Sequence, residues 1–94
     1  MVSLNNLKNL SFLVYGLGVT GQSVLNFFKK NDFKKFYLYD DKLKKNINLN
    51  AILRKVDFIV LSPGISLKKT KNRKKLIRYQ KKIITDIDLL YLTK

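Results

Sequence analysis

A doubly wound α/β fold, with one parallel sheet of four to five strands in a single small domain, is what this 94-residue sequence predicts. Three observations carry the prediction. Short apolar runs of strand type alternate with segments of helical spacing, the order that builds a parallel sheet covered by helices on both faces. The first of those runs ends directly on a Gly16-x-Gly18-x-x-Gly21 loop that opens a helix-like segment. The length allows one core and no second domain, because a chain of this size buries about 60 to 65% of its unfolded surface.

The elements follow in order. Ser11 to Tyr15 is apolar on both faces and runs straight into glycine, as the first, buried strand of a parallel sheet does. From Thr20 to Lys30, Val24, Leu25, Phe27 and Phe28 cluster at helical spacing, Thr20 is the expected N-cap, and Asn31-Asp32 ends the helix. Phe36 to Tyr39, framed by lysines and Asp40-Asp41, is the second strand. Strand, glycine loop, helix and strand make one right-handed βαβ unit.

Lys42 to Asn50 is polar and lysine-rich, a loop, and Leu49 to Lys55 is a short helix. Phe58-Ile59-Val60-Leu61 is a strand inside the sheet, stopped by Ser62-Pro63-Gly64. Between Thr70 and Lys82, Leu76, Ile77 and Tyr79 are sparse, with nine basic residues from Lys68 to Lys82, so a helix there exposes most of its surface. Ile83-Ile84 reads as a short strand, and Asp86 is the expected cap of a last helix carrying Ile87, Leu89, Leu90, Tyr91 and Leu92. No repeat, low-complexity linker or domain break interrupts the chain.

Composition excludes several chemistries. With no cysteine and no histidine, disulfides, the usual zinc sites, thiol nucleophiles and imidazole bases are all absent. No apolar run approaches the roughly 18 to 20 residues that span a bilayer, and Met1 to Ser11 places Asn and Lys where a secretory signal is apolar, so a cytoplasmic location is expected. The formal charge of +14 raises the question of a polyanionic partner. All six acids are Asp, alanine occurs once, and Lys, Asn and Ile abound. Drift toward A- and T-rich codons accounts for such a composition without selection for nucleic acid.

The glycine loop carries the chemistry. In such a loop the first glycine permits a tight turn, the second lets the backbone approach a pyrophosphate, and the third lets helix and strand pack closely, while the helix start aims amides at the anion. Asp40 stands nineteen residues beyond Gly21, where a dinucleotide fold places the acid that bonds a ribose. A plain turn and a solvated strand-end carboxylate are the bland alternatives, and Asp41 reads as solvated. Ser62-Pro63-Gly64-Ile65 holds the only proline and one of four glycines. Its amides and the Ser62 hydroxyl suit the same phosphates, or merely a structural turn.

Taken together, Gly16-Leu17-Gly18-Val19-Thr20-Gly21, Asp40 after the second strand, Ser62-Pro63-Gly64-Ile65 and the closing Thr85-Asp86-Ile87-Asp88-Leu89-Leu90 resemble the N-terminal domain of the Mur ligases, in particular their D-glutamate-adding members. The resemblance runs from about Leu7 to the last residue. It implies a Rossmann-like domain that holds the UDP part of UDP-N-acetylmuramoyl-L-alanine in peptidoglycan synthesis. ATP and magnesium then belong to a central domain of the same enzyme and the amino acid to a C-terminal one. It implies a UDP site at Gly16, Leu17, Gly18, Val19, Thr20, Gly21, Asp40, Asp41, Ser62, Pro63 and Gly64, in which Val19 and Thr20 contact the nucleotide and diphosphate, Asp40 accepts from the uracil ring, and Ser62 with Gly64 lines the opposite side. No catalytic group and no metal ligand of the family maps onto this chain.

Three departures accompany the resemblance. Asp41-Lys42 stands where the D-glutamate ligases often carry Thr-Arg, so Asp41 is expected to point away from a diphosphate unless Lys42 neutralises it. The segment from Asp40 to Asp57 is short for the family, which suggests four strands instead of five. No G-x-x-x-x-G-K-[ST] loop occurs, so the chain alone is expected to be non-catalytic. A nicotinamide-binding Rossmann domain of an oxidoreductase uses the same three glycines and acid. A basic nucleic-acid-binding module, reading Lys68 to Lys82 as its contact surface and Tyr79 as a stacking group, is the less favoured rival.

Overall fold

The apolar runs become strands where their pattern places them. The computed structural model describes residues 4–16, 18–40, 48–61 and 70–92. Strands β1 (Phe12–Tyr15), β2 (Phe36–Tyr39), β3 (Phe58–Leu61) and β4 (Ile83–Ile84) alternate with helices α1 (Leu4–Lys8), α2 (Val19–Lys30), α3 (Leu49–Lys55), α4 (Arg73–Arg78) and α5 (Asp86–Leu92). The sheet order is β2-β1-β3-β4, and all three pairings are parallel. Tyr15 stands beside Tyr39 on one flank and Leu61 on the other, so β1, β2 and β3 end level. Among the described residues no helix is long and apolar enough to cross a membrane.

Alternation along each strand sorts two cores. Phe12, Val14 and Val60 pack with Leu7 of α1, Val24, Leu25 and Phe28 of α2, Phe33 and Leu89 of α5. Leu13, Tyr15 and Ile59 pack on the other face with Leu49, Ile52 and Leu53 of α3, Val56 and Leu76 of α4. All six phenylalanines belong to the first core, with Phe28 lying 4.9 Å from Phe33 and 5.1 Å from Phe12, ring centre to ring centre. Each ring fully buried stabilises by roughly 1.5 to 3 kcal/mol. Tyr15, Tyr37, Tyr39 and Tyr79 belong to the second. The aromatic side chains of one face are thus phenyl rings, and those of the other carry hydroxyls that need partners.

Local chemistry fixes the ends of the elements. Helix α2 closes in a Schellman arrangement: Phe33 N donates to Phe28 O at 2.9 Å and Asp32 N to Lys29 O at 3.4 Å, with Asp32 at φ 61. At the amino edge of the sheet, Ser11 and Asp57 bind each other. Ser11 N donates to the Asp57 carboxylate at 2.8 Å, and Asp57 N donates to Ser11 O at 2.9 Å. Lys82 sets its ammonium on the last carbonyls of α3, 3.0 Å from Leu53 O and 3.0 Å from Arg54 O, where a cation offsets the negative helix end.

Two expectations change. Thr20 does not cap α2; Gly18 does, at φ −68 and ψ −166, and Gln22 N donates to its carbonyl at 3.0 Å. The glycine turn brings the chain into helical geometry early enough that Thr20 lies inside the first turn. Asp86 does not cap α5 either. The Thr85 hydroxyl accepts from Asp88 N at 3.1 Å while Asp88 accepts from Thr85 N at 3.0 Å, a reciprocal capping box. As expected from its sparse apolar residues, the basic stretch before β4 holds a mostly exposed short helix, Arg73–Arg78, followed by a 3-10 turn over Gln80–Lys82. Helix α1 was not anticipated, although its Leu7 is completely buried.

Candidate functional site

The glycine loop lies at the carboxyl edge of the sheet, between the end of β1 and the start of α2. Ligands of doubly wound folds bind at this edge. The three glycines do different things there. Gly16 is buried at φ 103, a conformation that side chains resist. At Gly21 a Cβ would fall 2.0 Å from the carbonyl oxygen of Gly16, so this glycine is required where helix and strand-end cross. Gly18 is exposed, and a Cβ there would meet nothing among the described residues within 4 Å. Folding therefore explains Gly16 and Gly21 and leaves Gly18 as open space at the head of a twelve-residue helix, whose first-turn amides have no intrahelical acceptors.

Asp40 is brought to the same place. Tyr15 and Tyr39 are in register, and Gly16 N donates to Tyr39 O at 2.7 Å, so the glycine turn and the acid leave the sheet side by side on adjacent strands. Asp40 is half-buried and engaged in an interaction of its own. Of the remaining predicted positions, Val19 and Thr20 form the first two residues of α2. Leu17, Asp41, Ser62, Pro63 and Gly64 lie outside the described residues. Strand β3 ends at Leu61 beside Tyr15.

Sequence reasoning missed a polar cluster directly behind this edge. The Tyr15 hydroxyl and Thr70 Oγ1 are 2.9 Å apart, and Asn72 Nδ2 donates to the Tyr15 hydroxyl at 2.8 Å and to that of Tyr39 at 3.4 Å. The partners lie 33 to 57 residues apart in sequence, beyond the reach of any local signal. The basic stretch meanwhile contributes Lys74, Lys75 and Arg78 to a groove of about 320 Å³ that Asn50, Arg54 and Tyr79 complete. It runs between α3 and α4. A cleft of about 90 Å³ between α2 and α5, lined by Ser23, Phe27 and Leu89 among others, holds Asp86, one of whose carboxylate oxygens is buried without a partner.

Among the described residues no group of three or more potential metal-binding side chains occurs. The sequence contains no triphosphate loop motif of the G-x-x-x-x-G-K-[ST] type. What the edge offers is main-chain recognition of an anion, with one carboxylate alongside to accept hydrogen bonds from a polar ring or sugar.

No protein-family model matches the chain. Individual relatives do. The UDP-N-acetylmuramoylalanine–D-glutamate ligase of Francisella philomiragia is 35% identical over 89 residues, covering 93% of this chain and 20% of that protein. That of Wolbachia pipientis wMel is 32% identical over 101 residues, covering 94% of this chain and 20% of the relative. That of Francisella tularensis subsp. tularensis is 35% identical over 88 residues, with 93% and 20% covered. The chain spans about a fifth of the length of these curated relatives. Over nearly its whole length the chain is similar in sequence to the N-terminal region of these UDP-N-acetylmuramoylalanine–D-glutamate ligases.

Proposed function

We propose that this chain holds the UDP moiety of UDP-N-acetylmuramoyl-L-alanine and so presents that substrate's carboxylate for ATP-dependent joining to D-glutamate in peptidoglycan precursor synthesis. The observation that carries the reading is Gly18. It is the glycine that the fold itself does not need, and it stands open at the start of α2, where a bulky side chain would obstruct a diphosphate and glycine does not. Asp40, one strand away, is the acceptor for the uracil ring, and the ligase relatives supply the identity of the nucleotide.

The domain's contribution is orientation. Binding energy gathered at a nucleotide handle, remote from the reacting atoms, fixes where the far carboxylate sits, and correct placement of reactants lowers the barrier of the joining step. ATP and magnesium act on that carboxylate in a separate central domain of the same enzyme, which is this domain's covalent partner in the proposed arrangement, and the whole works in the cytoplasm. The chain by itself performs no chemistry.

The test is amide chemical-shift mapping of this chain during titration with UDP to millimolar concentration. Shifts concentrated at Gly16, Gly18, Val19, Thr20 and Asp40 are expected. Thermal unfolding supplies a second readout, since a ligand at 100 times its Kd raises stability by about 2.7 kcal/mol, and NADH serves as the control dinucleotide. Absence of shifts at the glycine loop, or protection by NADH and not by UDP, would overturn the reading.

A further inference from the structure

The polar cluster behind the site has features that packing alone does not explain. Tyr15 immediately precedes Gly16, and Tyr39 immediately precedes Asp40. The two tyrosines are in register on adjacent strands, with ring centres 5.2 Å apart. Both hydroxyls meet one donor, the Asn72 amide, at 2.8 Å and 3.4 Å. Thr70 closes the cluster, its Oγ1 2.9 Å from the Tyr15 hydroxyl and accepting from Asn72 N at 3.3 Å. Thr70 and Asn72 are both buried.

Asn72 occupies the N-cap position of α4, where asparagine normally turns its side chain onto the helix amides. Here it makes no such bond, and the amide is given over to the phenols. Satisfied buried polar clusters contribute little net stability relative to apolar replacements of the same shape, but they hold their members in one arrangement. What this one holds in place is the pair of residues from which the glycine turn and Asp40 depart. Beyond the bond from Gly16 N to Tyr39 O, the register of β1 with β2 ends.

We propose that Asn72 is a positioning residue for the nucleotide site: by tying the Tyr15 and Tyr39 hydroxyls it sets the separation between the phosphate-facing glycine turn and Asp40. The inference rests on the UDP reading given above and deepens it. It makes a distinction between ligands. UDP spans both the loop and the acid and senses their separation, whereas inorganic pyrophosphate needs the loop alone.

Titration calorimetry of this chain with UDP and with inorganic pyrophosphate tests it, on the wild type, on Asn72→Leu, and on a triple variant Tyr15→Phe, Tyr39→Phe, Asn72→Leu. The triple variant removes donors and acceptors together, so no polar group of the Tyr15–Tyr39–Asn72 tie is left buried without its partner. In folded variants UDP affinity falls about tenfold, the equivalent of about one hydrogen bond's alignment, while pyrophosphate affinity changes by about twofold or less. Unchanged UDP affinity in either folded variant overturns the proposal. So does an equal loss for both ligands, which would mean general loosening of the domain. If the wild type binds no UDP, the functional reading itself falls and this inference goes with it; if only the variants behave unexpectedly, the UDP reading stands and Asn72 has no part in it.

Discussion

Replacing Gly18 by aspartate is expected to make the domain more stable and worse at binding. The backbone at this position has φ −68 and ψ −166, an extended conformation open to any residue. A Cβ meets nothing among the described residues within 4 Å, so none of them opposes the change sterically. Aspartate is a better N-cap than glycine by a few tenths of a kcal/mol, and its charge at the positive end of a helix adds about 0.3 to 1 kcal/mol. The sum, about 0.5 to 1 kcal/mol, raises Tm by roughly 2 to 8 °C in a domain of this size. Against a diphosphate the same carboxylate is repulsive by about 4 kcal/mol per charge pair at 4 Å and an effective dielectric of 20, before salt screening. UDP affinity should therefore fall by at least about 30-fold. Differential scanning calorimetry and calorimetric titration on the same samples measure both effects. A rise in Tm with undiminished UDP affinity would show that no anion sits at the head of α2, and a fall in Tm would contradict the cap geometry itself.

The other predictions concern stability. Gly21→Ala puts a methyl group 2.0 Å from the Gly16 carbonyl oxygen, and because both atoms belong to the backbone framework the loss should reach several kcal/mol, visible as an unfolded or strongly destabilised chain by circular dichroism. Asp32→Gly relieves the left-handed backbone at φ 61 and is expected to stabilise by about 0.5 to 1 kcal/mol in urea titration, with an unchanged m-value. Thr85→Ala removes one half of the capping box on α5 and should cost about 1 kcal/mol by the same measurement.

How much of this was legible in the sequence depends on the range of the interactions involved. Phe36–Tyr39, Phe58–Leu61, Ile83–Ile84 and Leu49–Lys55 fall within the expected limits because each is a local run with a local stop. Caps are harder. Thr85 and Asp86 are neighbours that both cap helices, Asp the more favoured type, and only the hydrogen bonds to Asp88 decide for Thr85; at α2 the choice fell to Gly18 for its backbone geometry, which composition does not reveal. Helix α1 escaped because five residues are too few to display a helical period, even though Leu7 is part of the core. For the site, the adjacency of the glycine turn and Asp40 was readable, since both follow strands that a βαβ unit makes neighbours. The division of labour among the three glycines was not, because it depends on what stands within a few ångströms of each. The tie through Asn72 joins residues far apart in sequence and of types that ordinarily signal turns or caps.

The sorting of aromatic residues has an optical consequence. The chain contains no tryptophan, so its near-ultraviolet emission comes from tyrosine, and four of its five tyrosines belong to the core that packs against α3 and α4. The phenylalanine side of the sheet is almost silent in such a measurement. Tyrosine emission is accordingly a built-in reporter of one half of the molecule, whereas circular dichroism averages over both. Coincident melting curves from the two probes would establish that the halves come apart together, and a gap between them would identify which half yields first, with no label introduced.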